Sequence, residues 1–226
     1  MTGLVIGIEV LYYLFFFIRR EYSAYACWMD LFRYEGEFTY RMFFFFPILG
    51  MVYHFIFERT SGVNWVIRYA DSRRLLKDQG RLAFVATVIM IAVECASMSL
   101  LCYCTGLPVM NWNEGRSMFC AIYRFTLDCS AAEVILDFLA LRFMNGALLW
   151  MSQRIFRKYG GPLWLWYLVV LILGEVEYRF PVFLIFRTTN LNIALLQQPW
   201  QWCWRLLIFT GMGIIYVWLE KRTVKK

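Results

Sequence analysis

The sequence predicts an all-α integral membrane protein with about six transmembrane helices and both chain ends in the cytoplasm. Of its 226 residues, 61% are hydrophobic and 20% are aromatic. The mean hydropathy is +0.54, so a water-soluble fold would lack polar side chains to cover its surface. Long apolar runs occupy most of the chain and leave no segment large enough for a soluble domain. We therefore expect one membrane domain over residues 1–226.

Six stretches come close to the roughly 20 apolar residues that a transmembrane helix needs. The first follows Met1 and Thr2 without the basic flank of a cleavable signal peptide, so we expect it to be retained although Glu9 interrupts it. The turn signal Gly160-Gly161-Pro162 starts the fifth. The predicted spans are residues 2–18, 42–57, 82–105, 128–151, 162–183 and 204–219.

Lysine and arginine predict the orientation, because cytoplasmic loops hold an excess of positive charge. The loop at 58–81, the loop after the fourth span and the C-terminal tail contain thirteen of these residues. This larger total places both termini in the cytoplasm. The formal charge of +7 is then explained by the positive charge of the cytoplasmic loops, so no nucleic acid partner is expected. The opposite loops contain eight: Arg19, Arg20, Arg33, Arg41, Arg116, Arg124, Arg187 and Arg205.

The outer loops are rich in aromatic residues such as Trp28 and Trp112, which suits rings lying at a membrane interface. Most of the seven cysteines also fall on this side. They could form disulfides in an oxidising space, or they could be small apolar residues of the spans, and spacing does not fix partners.

The connection at 58–81 is too apolar to be a plain solvated tether. Val63, Trp65 and Tyr69 favour burial, and a short helix over residues 62–69 would press them onto a partner. Asp71 or Ser72 is a suitable N-cap for a cytoplasmic extension of the third span. A second interpretation of the loop is a positively charged anchor that lies on anionic lipid.

Motifs in this region resemble a known family. They are the run Phe43-Phe-Phe-Phe-Pro-Ile-Leu in the second span, then Arg59-Thr-Ser-Gly, Ile67-Arg and Ser72-Arg-Arg-x-Leu in the loop. Together they are similar to the second span and coupling loop of small six-span permeases of type-2 ABC exporters, such as those associated with bacteriocin and peptide export. Such permeases often begin with an amphipathic helix, whereas this chain enters the membrane almost at once.

The resemblance implies a permease subunit in the plasma membrane of a bacterium that exports a peptide, drug or lipid-like amphipathic substrate. A second copy or a related permease would complete the transporter. In that family the helix between the second and third spans docks onto a separate ATPase subunit. That role would fall here to Trp65, Ile67, Arg68, Ser72, Arg73 and Arg74.

Energy would come from the partner, because a phosphate-binding P-loop needs GxxxxGK[ST] and no Gly-Lys pair occurs in the chain. ATP and Mg²⁺ would bind to the ATPase, and we expect no cofactor, metal site or enzymatic activity in this chain. The cysteines form no CxxC pair. The single histidine, His54, lies in the cytoplasmic half of its span, away from most cysteines, which disfavours a membrane peptidase and favours a packing role.

Apart from Asp128 and Arg205 at the ends of spans, eight Asp, Glu and Arg side chains fall inside the predicted spans, and six of these eight are acidic. Glu133 and Asp137 share a helical face, so at least one should bind a proton, a cation or an arginine. Alternatives for these groups are buried pairs that join helices and a secondary transporter coupled to protons or cations. A pathway for a cationic substrate would be lined by Glu94, Glu133, Asp137, Arg142 and Glu175.

Overall fold

The computed structural model describes residues 25–35, 40–60, 72–179 and 200–223, together with four isolated positions, Gly3, Gly7, Val10 and Leu11. In these ranges the regular secondary structure is entirely helical, which confirms the all-α prediction there. The helices are α1 Trp28–Glu35, α2 Phe46–Thr60, α3 Ser72–Cys104, α4 Met118–Tyr123, α5 Ala131–Lys158, α6 Leu163–Arg179 and α7 Trp200–Thr223.

Three helical segments in the described part of the chain are long and apolar enough to cross a membrane. They are Arg41–Thr60, Arg74–Cys104 and Ala131–Lys158, and they correspond to the second, third and fourth predicted spans. Two shorter apolar segments, Leu163–Val176 and Arg205–Trp218, lie at the fifth and sixth. The first predicted span, 2–18, lies outside the described residues apart from the isolated positions.

The ends of α5 differ from the predicted span 128–151 for local reasons. The helix begins after Ser130, whose hydroxyl accepts the backbone N–H of Glu133, while the Glu133 carboxylate accepts the N–H of Ser130. This reciprocal capping box fixes the start of the helix. At the other end polar residues extend the helix to Lys158, beyond the apolar run. α3 likewise starts ten residues before its predicted span.

α2, α3 and α5 meet at one end of the bundle, where α2 and α5 end and α3 begins. There the Gln79 side chain donates to the Thr60 hydroxyl over 2.7 Å and accepts from Arg154 over 2.5 Å. α5 is the central helix, because it contacts α1, α2, α3, α6 and α7. We call this end the basic end, after the residues Arg59, Arg74, Lys77, Arg81, Arg154, Arg157 and Lys158.

A π-helical turn at Arg41–Phe45 leads into α2, just before Pro47. The Arg41 carbonyl accepts the N–H of Phe46, one residue further than in an α-helix. The next carbonyl, of Met42, would pair in this register with Pro47, which has no N–H. The Tyr167 hydroxyl of α6 donates to it instead over 2.8 Å, so the turn also ties α2 to α6.

Two glycines allow close helix packing in the bundle. A Cβ at Gly146 of α5 would lie 2.6 Å from the Thr87 side chain of α3, and one at Gly50 would lie 2.8 Å from the Trp166 ring. The Tyr53 hydroxyl bonds both to the Thr87 hydroxyl at 2.6 Å and to the Gly146 carbonyl at 3.1 Å. Small residues and shared hydrogen bonds are the usual means of joining helices in lipid.

A packed cap, made of α1 and residues 105–130, covers the opposite end of the bundle. Trp112 corrects the expectation of an interfacial ring, because it is buried in the cap, stacks on Phe119 at 4.7 Å and donates to Asp30 over 3.0 Å. The Trp28 indole donates to the Leu107 carbonyl over 2.9 Å. These loops therefore fold on each other and form their own apolar core against α3 and α5.

Candidate functional site

The first buried ion pair joins α3 to α5. Arg142 Nε lies 3.2 Å from Glu94 Oε2, and the exposed fractions of the two side chains are 2% and 0%. The Tyr40 hydroxyl donates to the other Glu94 oxygen over 3.4 Å. An isolated charge at such a position would be strongly unfavourable, so the two side chains stabilise each other's burial.

Three aromatic rings surround the Arg142 guanidinium. The distances from its carbon to the ring centroids are 4.4 Å for Phe45, 4.8 Å for Phe138 and 5.3 Å for Tyr40. All are within the range of cation–π attraction. Tyr40 directly precedes the π-helical turn and Phe45 is its last residue, so the irregular start of α2 forms one wall of this site.

The second buried ion pair joins α5 to α7. Arg205 Nη1 lies 2.6 Å from Asp137 Oδ1, and each side chain is only 3% exposed. The Arg205 guanidinium also lies over the Trp202 ring at 5.0 Å. This corrects the assignment of Arg205 to an outer loop: α7 begins at Trp200, so Arg205 is a helical residue whose charge is buried against Asp137.

The two pairs lie on different sides of α5. Asp137 and Arg142 are five residues apart, which places them about 140° apart around a helix axis. One side of α5 is therefore fixed to α3 by a charge pair and another side to α7. Each pair is neutral by itself, so the buried centre of the bundle holds these four charges without a net charge.

Glu133 does not join Asp137. Its side chain is exposed and its carboxylate is used in the capping box, where the free N–H groups of a helix start favour an acceptor. The expectation that at least one of the two would bind a proton, a cation or an arginine is met by Asp137, which pairs with Arg205. Glu175 is half-buried in α6.

The predicted coupling residues Trp65, Ile67 and Arg68 also lie outside the described residues. Ser72 and Arg73 belong to the first turn of α3, where only the backbone is described, and Arg74 is exposed. The hydrogen-bonded group Thr60, Gln79 and Arg154, here called the clamp, lies at the base of this connection. The clamp was not predicted from the sequence, although Thr60 and Gln79 are each the third residue from an end of the predicted loop 58–81.

Two titratable groups of the cap are buried outside the spans. Burial raises the pKa of the Asp30 carboxyl above its ordinary value of 3.8, although hydrogen bonds from the Cys27 N–H and the Trp112 indole favour the ionised form. Burial, together with the neighbouring Asp30 charge, also raises the pKa of the Cys27 thiol. All seven cysteines are free thiols. No cluster of metal-ligating side chains occurs among the described residues.

No family model matches the chain, and no curated protein or solved structure shows significant similarity to it. The function therefore has to be inferred from the geometry of the bundle itself.

Proposed function

We propose that the chain is the transmembrane permease subunit of an ABC transporter. It exports a peptide, drug or lipid-like amphipathic substrate, and a separate ATPase subunit supplies the energy. The observation that carries the proposal is the clamp of Thr60, Gln79 and Arg154 at the base of the connection 61–71. A connection that contains Trp65, Arg68 and Tyr69 and runs between two helices joined in this way is suited to transmitting force from a partner.

The clamp supports this role because it joins three helices next to the connection: Thr60 directly precedes it, and Gln79 lies two turns into α3. Gln79 lies on α3, Thr60 on α2 and Arg154 on α5, so a displacement of the connection acts on all three. With 33 residues, α3 is about 50 Å long at the usual rise, against about 30 Å for the hydrocarbon core. Its first turns therefore project from the bilayer beside the connection.

The distribution of buried arginines supports a cytoplasmic basic end in a six-span plasma-membrane protein. Arg33, Arg41 and Arg205, counted among the eight arginines of the opposite loops, are all buried. Without these three, the opposite loops contain five lysine and arginine residues against thirteen on the side of the basic end. This increases the excess of positive charge on the side proposed to be cytoplasmic. Both termini are then cytoplasmic, and the cap faces the outside.

In this mechanism, closure of the ATPases on ATP displaces the connection, and the helices switch the side to which their shared cavity opens. When α3, α5 and α7 move relative to one another, the two buried ion pairs either move with the helices or break. A cationic substrate would compete with Arg142 or Arg205 for the carboxylates. A carrier driven by protons or cations would use the same carboxylates and face the same competition from the two arginines.

The test is purification of the tagged chain from its native host in mild detergent, with mass spectrometry of the proteins that accompany it. We expect an ABC ATPase in near-equal amount, lost from the double variant Trp65→Ala/Arg68→Ala. The matched control is Trp218→Ala/Arg116→Ala, which removes the same residue types from exposed positions elsewhere and should retain the ATPase. Purification without any ATPase, or equal loss in both variants, would refute the proposal.

A further inference from the structure

A groove of about 190 Å³ lies between α3 and α5, in the half of the bundle nearer to the basic end. Phe84 of α3 and Phe143 of α5 stack on each other at 5.9 Å in its lining. The Trp150 ring packs on Gly80, where a Cβ would lie 3.7 Å from it. Phe84 is 61% exposed, and Phe143, Ala147 and Trp150 are partly exposed. The groove is therefore open at the surface of the bundle.

The hydroxyl groups of the groove are used within it. The Thr87 hydroxyl lies 2.6 Å from the Tyr53 hydroxyl and 2.8 Å from the Ala83 carbonyl. Tyr53 also donates to the Gly146 carbonyl over 3.1 Å. The rest of the lining consists of aromatic rings, alanine and glycine. Since α3 and α5 are apolar enough to cross a membrane, this apolar surface lies at the depth of lipid chains and suits an alkyl chain.

Two basic side chains stand where the groove meets the basic end. Arg154 follows Trp150 by one turn of α5, and its guanidinium carbon lies 5.8 Å from the Trp150 ring centroid. Lys77 is exposed and precedes Gly80 by three residues, so it lies on the groove side of α3. Gln79, which accepts from Arg154, is neutral. Basic side chains just beyond an apolar helical run extend to the headgroup level of a bilayer.

The charges of the basic end favour a ligand with a net negative charge. The side chains described there include seven basic groups and two carboxylates, Glu58 and Asp78. Glu58 pairs with Arg157 and Asp78 with Arg81, at N–O distances of 2.6 and 3.4 Å. An excess of positive charge therefore borders an apolar groove. An anionic phospholipid has the two complementary parts, which are an acyl chain and a phosphate without a compensating ammonium.

We propose that this groove binds an anionic phospholipid, with one acyl chain between α3 and α5 and the phosphate at Lys77 and Arg154. A guanidinium has five N–H donors, so Arg154 can bind a phosphate while it keeps its hydrogen bond to Gln79. The site depends on the membrane location of the chain and requires no ATPase. It can therefore fail while the transport proposal stands, and the reverse also holds.

The test uses the purified full chain in detergent, loaded with phosphatidylglycerol or phosphatidylcholine of identical acyl chains and examined by native mass spectrometry. Both lipids carry a phosphate, but only phosphatidylglycerol has a net negative charge. One basic residue near an anionic lipid contributes roughly a factor of five, so two should give a preference of about 25-fold for phosphatidylglycerol. Equal retention of the two lipids would overturn the proposal.

A pair of lysine variants tests the position of the phosphate. Lys77→Gln should reduce the preference for phosphatidylglycerol about fivefold, because it removes one of the two charges. Lys158→Gln removes another exposed lysine of the basic end, outside the lining of the groove, and should keep the preference. An equal reduction in both variants would contradict the site, because the charge of the whole end would then select the lipid.

A pair of glycine variants tests the position of the acyl chain. Gly80→Leu fills the groove from a position where a Cβ makes only ordinary contacts, and retention of both lipids should be lost. Gly211→Leu adds the same side chain in open space on α7 and should leave retention unchanged. Full retention in Gly80→Leu refutes the assignment. A dimer of the unaltered chain that Gly80→Leu converts to a monomer also refutes it, because a second copy would then occupy the groove. The lysine pair decides the question if Gly80→Leu fails to fold.

Discussion

The buried pair of Glu94 and Arg142 should show strong energetic coupling between α3 and α5. Removing one partner of a buried ion pair costs about 3–5 kcal/mol, because the other charge stays buried. Arg142→Met leaves the Glu94 carboxylate without its arginine, and we expect a loss of about 4 kcal/mol. Glu94→Gln should cost less, about 3 kcal/mol, because three aromatic rings still attract the guanidinium. The double variant should cost about 4 kcal/mol, which is about 3 kcal/mol less than the sum of the two single losses. This difference is the coupling free energy between the two side chains.

The measurement is reversible unfolding of the four proteins in mixed micelles with increasing dodecyl sulfate, followed by tryptophan fluorescence and circular dichroism. The pair of Glu58 and Arg157 is a control with the same residue types and an N–O distance of 2.6 Å. Its side chains are 55% and 30% exposed, so its coupling should not exceed about 1 kcal/mol. If the coupling of Glu94 with Arg142 were no larger than this, burial would not strengthen the contact and the reasoning would be wrong.

Three further predictions concern packing, orientation and pH. Gly146→Ala should destabilise the bundle by about 1–3 kcal/mol through a clash with α3, whereas Gly211→Ala, in open space, should be neutral or stabilising in the same unfolding assay. A membrane-impermeant maleimide added to intact cells should label the exposed Cys104 and should not label the buried Cys27. If Cys104 were labelled only after the membrane is permeabilised, the proposed orientation would be reversed. Because the pKa of Asp30 is raised in the folded protein, protonated Asp30 stabilises the fold fully below pH 3.8, and this stabilisation is lost as the pH rises through the raised pKa. The thermal unfolding midpoint should therefore fall as the pH rises through this range. Asp30→Asn, which does not titrate, should remove this pH dependence of the midpoint.

The apolar runs of the sequence were sufficient to predict the second, third and fourth spans, because length and hydropathy are local properties. The capping box of α5 could also be read from the sequence, because Ser130 is followed three residues later by Glu133. It was not predicted because Glu133 was assigned to the interior of a span. The Met42 carbonyl of the π-helical turn accepts from Tyr167, which lies on another helix, so Pro47 alone could not have predicted how its missing N–H is compensated.

The partner of Asp137 could not be predicted for a similar reason. A buried carboxylate requires a compensating charge, but spacing along one helix does not show which arginine elsewhere in the chain supplies it. Arg205 lies at the edge of an apolar run, where loop and helix assignments are equally reasonable. Only the packing of α7 on α5 distinguishes them.

The position of Arg205 also explains why α5 is central to the packing of α7. Arg205 lies in the second turn of α7, which begins at Trp200. Burying that side chain in lipid would be costly without a partner, and Asp137 supplies one. Helices in lipid gain little from burying apolar surface against each other, so charge pairs and close backbone contacts determine which helices associate. α5 provides both, with Gly146 towards α3 and Asp137 towards α7, and the arrangement of both neighbours therefore depends on it.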